Sequence, residues 1–576
     1  MTAIPRPPAD VERVLALIRG AGGRPMLVGG YVRDAVMGIK GKDIDIEVFG
    51  IYDLDDIDYP LVRSGLKTAC AGHAFGVLKV RAGDADVDVS LARRESKTGP
   101  GHRGFSVAPD PAIGFHEASA RRDFTINALM ADPRTGEVID CHGGLADLEA
   151  GVLRHTSEAF MEDPLRVLRG VQFAARFGFR MAPETAWRCS LLIGSYRELP
   201  VERVWGEWEK IGTRGRDISG ALLHLGVTRW AEHFPQLAVL RGVEQDPEWH
   251  PEGDVWVHSG LAADQAARLA DEAGLTGTDR LVIVFAALLH DVGKAAKTQV
   301  VKGRIVSWGH AEAGEAPAAA FLRSIGCPEG VAARILPLVR RHMSCLGAPT
   351  KPAVRRLVRK LPPATLAELA LVRAADVKGR GNPDAASPAD AWLEMGRGLK
   401  IEEQPEKGLL TGYHLIAAGL QPGLAFKPLL AMALAAQDAG EFEDEAGAVR
   451  WLAAYADAPE SEAVRARRSA ASRRARRHRI SSTTDGVPDD VIYERDGWAC
   501  QMPACMAPKS LGPARRALDP GLRGTNSPWM PTVDHVIALT LGGTDTADNK
   551  RASHSCCNNY GRPREDKGGR GEKGKR

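Results

Sequence analysis

"GKDIDIEVFG", Gly41 to Gly50, decides how the first part of this chain is read. Ile44, Ile46 and Val48 alternate with Asp43, Asp45 and Glu47. Alternate side chains of a strand share a face, so the spacing predicts a strand with one apolar and one acidic face. Carboxylates gathered on one face raise each other's pKa unless a cation sits among them. Mg²⁺ takes oxygen ligands, commonly one or two carboxylates plus substrate phosphates. Asp43 and Asp45 are therefore candidate Mg²⁺ ligands for phosphoryl or nucleotidyl transfer. The bland alternative is an edge strand with a solvated acidic face. Glu47 shares the periodicity and is expected to face solvent or another basic group.

Just upstream, "LVGGYVRDAVMG" puts Gly29 and Gly30 between an apolar strand and a helix-like segment. Such a turn lets backbone amides approach a phosphate, and Arg33 follows in the first helical turn. No GxxxxGK[ST] occurs, which excludes a Walker-type loop.

Outward from this stretch, strand-like runs at Met26–Val28, Gly76–Val80 and Val87–Leu91 make residues 1–150 an α+β unit. Residues 151–456 read as all-α. "ADAPESEAVRARRSAASRRARRHRISSTTDGVP" then breaks the pattern, and 457–487 read as a basic linker. A small domain and a basic tail occupy 488–576. The 576 residues suit roughly three to five domains. Hydrophobic content of 44% and charged content of 26% are those of a soluble globular protein. No run of 18 apolar residues occurs, so no spanning helix is expected. The start lacks a secretory pattern, so the expected location is cytoplasmic, with no membrane partner.

Charge is divided along the chain. Residues 461–576 carry 22 Lys/Arg against 13 Asp/Glu, whereas residues 1–460 carry 54 against 60. The basic end suggests a polyanionic partner. Of nine cysteines, Cys500, Cys505, Cys556 and Cys557 crowd the last 77 residues. In a reducing compartment such crowding reads as metal ligation.

Taken together, "GGYVRDAVMGIKGKDIDIEV", "RRDFTINAL", "DCHGGLADL", "EDPLRVLRGVQFAARFGF" and "PVERVWGEWEKI" resemble, in order, the motifs of class II template-independent nucleotidyltransferases. These are the tRNA CCA-adding enzymes and the related bacterial poly(A) polymerases. The resemblance implies that Asp43 and Asp45 bind Mg²⁺. It also implies a third carboxylate on a neighbouring strand, Asp88, with Asp86 the alternative. Gly29, Gly30, Arg33 and Asp34 would lie at the nucleotide, and Arg121, Arg122, Asp123 and Asn127 around its phosphate and ribose. Asp163 and Arg166 would read the Watson–Crick edges of cytosine and adenine, an acceptor and a forked donor three residues apart on one helix face. Arg169 continues that face towards ribose or phosphate.

In the helical half, His258, the pair His290–Asp291 and the distant Asp376 offer the ligand types of a divalent metal site. They resemble the HD phosphohydrolase pattern, which implies phosphatase or 2′,3′-cyclic phosphodiesterase activity on RNA ends. His310 and His342 complete a second metal position or bind phosphate.

"YERDGWACQMPAC" followed by "PTVDHVIALTLGGTDTADNKRASHSCCNN" resembles an HNH endonuclease, a small ββα-metal module. The resemblance implies His535 as general base, Asn549 orienting it, and Asp534 and Asn558 as metal ligands. Cys500, Cys505, His554 and Cys557 have the spacing of a tetrahedral Zn²⁺ site. The first pair is C-x4-C, and Cys556 competes with His554.

The resulting expectation is an α+β protein. A mixed-sheet head (1–150) precedes a helical neck (151–235), an HD phosphohydrolase and helical body (236–456), and an HNH module. It would add CMP and AMP to tRNA 3′ ends from CTP and ATP. The alternatives are a poly(A) polymerase, or a nuclease or nucleic-acid-binding protein with an inactive head. DNA is a further expected partner of the HNH module and basic linker.

Overall fold

A computed structural model describes residues 2–41, 43–70, 76–97, 105–382, 384–423, 426–457, 531–535 and 550–554. The chain forms two compact units, Met1–Val449 and Arg450–Arg576.

The first unit begins with α1 (Ala9–Gly20), β1 (Arg24–Val28), α2 (Gly30–Val36), β2 (Asp43–Phe49), α3 (Asp55–Arg63), β3 (Lys67–Cys70), β4 (Val77–Ala82) and β5 (Ala85–Leu91). A hairpin of β6 (Arg93–Lys97) and β7 (Phe105–Pro109) follows, then α4 (Phe115–Ala120), β8 (Met130–Ala131), β9 (Val138–Ile139) and α5 (Gly144–Ala150). Seven strands form one sheet in the order β3-β4-β5-β2-β1-β8-β9. Only β2 and β5 run parallel, so the sheet is mixed. Its strands alternate as the sequence predicts. Ile44, Ile46, Val48, Val87, Val89, Leu78 and Val80 are buried, packed in one core with Val11, Val14, Leu15 and Ile18 of α1. Each such side chain contributes about 1.5–3 kcal/mol. The opposite face carries a second, smaller apolar cluster that includes Met26, Val28, Phe49, Ile113 and Met130, beside the charged residues of β2 and β5.

Next come β10 (Val152–Leu153), α6 (Leu165–Phe177), β11 (Arg180–Met181), α7 (Pro183–Leu191), α8 (Val201–Arg214), α9 (Ile218–Val227) and α10 (Pro235–Ala238). Gly178, in left-handed conformation with φ 68°, ends α6. Then follow α11 (Val255–Glu272), α12 (Gly277–Leu289), α13 (Lys294–Lys297), β12 (Gln299–Val301), β13 (Arg304–Val306), α14 (His310–Ser324), α15 (Glu329–Arg341), α16 (Lys351–Val358) and α17 (Leu366–Lys378). Helix α12 is buried on every side from Arg280 to Leu289, which makes it the axis of this region. The helices α18 (Asp390–Gly398), α19 (Gly412–Ala417), α20 (Phe426–Ala439) and α21 (Glu445–Asp457) complete the run.

The all-α reading of 151–456 needs one correction, because two small β pairs interrupt it. Strands β10 and β11 pair in parallel, and β12 and β13 form a hairpin. The hairpin turns on Lys302 and Gly303, at φ 52° and 77°, the conformation that two-residue hairpins favour. Its signal, β-branched residues on both sides of Lys-Gly, is short enough to vanish within a helical stretch.

In the second unit β14 (Pro531–His535) and β15 (Lys550–His554) pair antiparallel, His535 opposite Lys550 and His554 opposite Pro531. The expected Cys500, Cys505, Asn549, Cys556, Cys557 and Asn558 sites lie outside the described residues, as does the Arg465–Arg479 run. No helix among the described residues is long and apolar enough to cross a membrane.

Candidate active sites

The parallel register of β2 with β5 sets Asp43 opposite Asp86 and Asp45 opposite Asp88. Asp45 keeps an exposed edge. Even so, desolvation by the surrounding protein pushes its carboxyl up from the ordinary value; Arg122 opposes this, and Asp88 and Asp43 add to it. The strand outside β5 answers with cations. Lys79 lies 3.2 Å from Asp88, and Arg81 lies 2.5 Å from Asp86. Four carboxylates, Asp43, Asp45, Asp86 and Asp88, thus share one face, and of these Asp43 and Asp88 act on Asp45; oxygen donors of this kind fit Mg²⁺.

Glu47 does not face solvent. It is fully buried and ion-paired to Arg121 (2.6 Å) and Arg122 (3.0 Å). The pairing holds the segment after α4 against the acidic strand. Gly29 sits in the same corner at φ 68°. A Cβ there would fall 2.9 Å from Arg122 Nη1 and 3.2 Å from Asp45 Oδ2, so only glycine fits.

Arg33 is 3% exposed. Its Nη1 donates to Asn127 Oδ1 (2.6 Å), and Nε and Nη2 donate to Asp34 Oδ1 (2.8 and 2.6 Å). The guanidinium also lies 4.7 Å from the centre of the Phe177 ring. Asp34 accepts in turn from Arg176 (3.0 Å). Asp123 accepts from Asn127 Nδ2 (2.9 Å) and from Arg169 Nε (2.7 Å). Burial opposes ionisation of Asp123, yet Arg169 and Asn127 bring its pKa down to about 2. Arg33, Asp34, Asn127, Asp123 and Arg169, five of the residues read as surrounding the nucleotide, therefore form one connected lattice.

Asp163 and Arg166 do not share a helix face. Pro164 caps α6, and Asp163 precedes it in extended conformation. Proline disfavours helical geometry at the residue before it. Asp163 instead accepts from the Leu165 N–H (3.0 Å) and from Arg203 Nη2 (2.9 Å). Arg166 donates to the carbonyls of Ala159 (2.6 Å) and Arg121 (2.7 Å).

The histidine set forms a second centre. His258 comes from α11, His290 and Asp291 from the end of α12, and Asp376 from α17. All four are at most 2% exposed. His258 Nε2 lies 3.3 Å from both His290 Nε2 and Asp376 Oδ1. On the other side, His310 Nε2 lies 3.1 Å from both His342 Nε2 and Asp291 Oδ1. Asp291 links the halves, because its Oδ2 lies 3.1 Å from His290 Nε2.

The second nitrogens explain why this set fits metal. Nδ1 of His290, His310 and His342 each lies 2.6–2.7 Å from a backbone carbonyl, of Ala287, Ser307 and Val339. His258 Nδ1 lies 2.7 Å from Glu252 Oε1. A carbonyl accepts only, so Nδ1 keeps the proton and Nε2 offers a lone pair. Lone pairs facing each other among carboxylates need cations. Lys294 Nζ (2.7 Å from Asp291 Oδ2), Arg373 and Arg380 supply positive charge at the edge. Burial pushes the Asp291 carboxyl up, but His290 and Lys294 outweigh it and leave the group well below the usual carboxylate range. Burial with the neighbouring His290 pushes His342 down to about 3, so it stays neutral. Gly293 lets the parts close up, since a Cβ there would meet His310 O at 2.0 Å.

Comparison with known proteins now bears on both centres. Residues 26–154 match the Poly A polymerase head domain family, and residues 255–378 match the HD domain family. A multifunctional CCA protein of Xanthomonas campestris is 38% identical over 383 residues, covering 64% of this chain and 88% of that protein. This chain belongs to the multifunctional CCA protein family. A relative of the same name in Xylella fastidiosa is 36% identical over 386 residues, covering 64% of this chain and 87% of its own length. The crystal structure of the Bacillus stearothermophilus CCA-adding enzyme in complex with CTP aligns with a TM-score of 0.52 at 20% identity. It covers 77% of this chain and 96% of that one, a likeness of fold.

Several contributors to these two centres escaped sequence reasoning. Lys79 on β4 and Arg203 on α8 are ordinary surface-type residues until their partners Asp88 and Asp163 are placed. Arg176 lies ten residues after Arg166, and its link to Asp34 depends on α6 approaching α2. Lys294 had a visible cue, because it stands three residues after Asp291 in "HDVGK". Glu252, which orients His258, had none.

Proposed function

We propose that this chain extends tRNA 3′ ends by CMP and AMP from CTP and ATP, releasing pyrophosphate. The observation that carries the reading is the Asp45–Asp88 register, with Asp43 on the same face and the Gly29–Gly30 turn beside it. Asp43, Asp45 and Asp88 would hold Mg²⁺, which when bound lowers the pKa of the RNA 3′-hydroxyl and neutralises the departing pyrophosphate. Arg122, anchored by Glu47 and next to Gly29, stands where it can balance triphosphate charge. Asp163 and Arg166 would select the base, an acceptor and a forked donor against the edges of cytosine and adenine. The test is incubation with Mg²⁺ and tRNA lacking CCA, supplying CTP, ATP or both. Arrest after three added nucleotides supports CCA addition, and long A-tracts support poly(A) addition instead. Incorporation that survives Asp43→Ala overturns the metal assignment.

A second activity is supported by the lone pairs converging around Asp291. His258, His290, Asp291 and Asp376 would hold one divalent ion, and His310 and His342 would share Asp291 with a second. A metal-dependent phosphohydrolase acting on RNA-end phosphates, including 2′,3′-cyclic ones, fits that arrangement. Hydrolysis of a 2′,3′-cyclic nucleotide with Mn²⁺ or Ni²⁺, lost in Asp291→Ala, is its assay.

For the C-terminal unit we propose an HNH nuclease. Asp534 and His535 serve metal and base, with Asn549 and Asn558, and Cys500, Cys505, His554 and Cys557 hold Zn²⁺. His535 and His554 stand at opposite ends of the β14–β15 ladder. Four residues of strand separate two points by roughly 13 Å, room for two separate centres. Duplex DNA nicked by the wild type and left intact by His535→Ala would support it.

A further inference from the structure

The HD centre forms part of the wall of a cavity of about 840 Å³, a volume suited to a nucleotide-sized ligand. Asp291, Asp376 and His310 are among the residues that line it. Two tryptophans, Trp249 and Trp308, also line it, and they are 57% and 68% exposed. Single exposed apolar residues are ordinary. Two of the largest aromatic side chains lining one polar-ended cavity are not. Neither placement is accidental to the chain. Trp249 immediately precedes His250, whose Nδ1 lies 2.9 Å from the Glu252 that orients His258. Trp308 stands two residues before His310, between β13 and α14. Trp308 is thus two residues from a member of the centre, and Trp249 reaches it through His250 and Glu252. Lys302 and Arg304 of the β12–β13 hairpin also line the cavity, Arg304 ion-paired to Asp246 and Glu248 (3.2 Å each).

We infer that Trp249 and Trp308 form a stacking platform for a nucleobase, so that the cavity selects phosphate esters carried on nucleosides over base-free ones. The inference rests on the phosphohydrolase reading of the centre but assigns a task that the ligand set does not. A base has a π-face whatever its identity, so the platform grips a nucleotide without choosing its sequence. That suits RNA ends that differ in their last residue. Lys302 on the hairpin would meet backbone phosphate upstream of the terminal unit.

The experiment uses the full chain with Mn²⁺. Steady-state hydrolysis of adenosine 2′,3′-cyclic phosphate is compared with that of 1-O-methylribose 2′,3′-cyclic phosphate, which lacks the base. Equilibrium dialysis with adenosine 2′-phosphorothioate, a slowly hydrolysed probe, gives binding separately. Loss of one stacked base contact corresponds to about a tenfold change in affinity. Trp249→Ala and Trp308→Ala are each expected to raise KM for the cyclic nucleotide and Kd for the probe about tenfold. The kcat should stay within about twofold, KM for the base-free ester should not change, and Trp308→Tyr should restore binding. Unchanged KM and Kd in both alanine variants overturn the inference and leave the phosphohydrolase reading standing. If the wild type hydrolyses neither ester, that reading fails, and the dialysis result alone then decides for or against the platform.

Discussion

Arg122 and Glu47 lie 3.0 Å apart in an ion pair whose carboxylate is sealed from solvent, and the same Arg122 acts on Asp45. One side chain therefore both fixes the segment after α4 and tempers the acidic face where nucleotide chemistry is proposed. Removing a buried partner leaves the remaining charge uncompensated.

Glu47→Gln is accordingly expected to destabilise the first unit by about 3 kcal/mol, because Arg121 and Arg122 lose their shared negative charge and one of the two oxygens they bond. At a few degrees per kcal/mol for a domain of this size, thermal unfolding should show a fall of about 5–10 °C. A loss below about 1 kcal/mol would mean that the pairing is replaceable by water.

Metal should stabilise the HD centre as well as serve it. A ligand that binds only the folded state adds about 2.7 kcal/mol when present at 100 times its Kd. Titrating Mn²⁺ should raise the melting temperature by several degrees, and His290→Ala should abolish that rise. Ligands must be deprotonated to bind, so apparent affinity should increase with pH. His342, held neutral down to about 3, should not be the group that limits it.

Much of this was legible before the fold was known, for reasons that differ by residue. Asp43 and Asp45 were legible because strand periodicity is local and the register with β5 only completed it. His258, His290, Asp291 and Asp376 were legible as ligand types, whereas their convergence depended on the packing of α11, α12 and α17. Glu47 meets basic groups, one of the two surroundings expected for it, but its burial was not legible, since it depends on Arg121 and Arg122 covering it from a distant segment. Asp163 was placed on a helix that Pro164 begins, although the bias of residues before proline was visible in the sequence. Trp249 and Trp308 carried no periodic signal, and their meaning exists only around the cavity.

Stability near pH 3 should report on Asp123. Its folded pKa of about 2 lies below the ordinary 3.8, so its contribution is fully present above about pH 4 and is lost as pH falls through 2. A difference of nearly two units corresponds to about 2.5 kcal/mol. Urea unfolding of Asp123→Asn should show that deficit at pH 6, with wild type and variant converging towards pH 2. A constant offset across the range would assign the loss to packing instead.

Base selection gives the sharpest test of the neck. Asp163 is aimed by two donors, the Leu165 N–H at 3.0 Å and Arg203 Nη2 at 2.9 Å. Arg203 is an α8 side chain about one-third exposed, so its loss costs little stability. A hydrogen bond to a charged group contributes about 1.5–3 kcal/mol when it is partly shielded. If that bond orients Asp163 against the nucleotide base, Arg203→Ala frees the carboxylate to turn. Misincorporation of UMP and GMP relative to CMP and AMP should then rise at least tenfold, with the Mg²⁺ dependence unchanged. Arg203→Lys keeps the charge but not the planar fork, so it should restore only part of the fidelity. Equal loss of rate with all four nucleotides, at constant selectivity, would instead make Arg203 a brace between α8 and the start of α6.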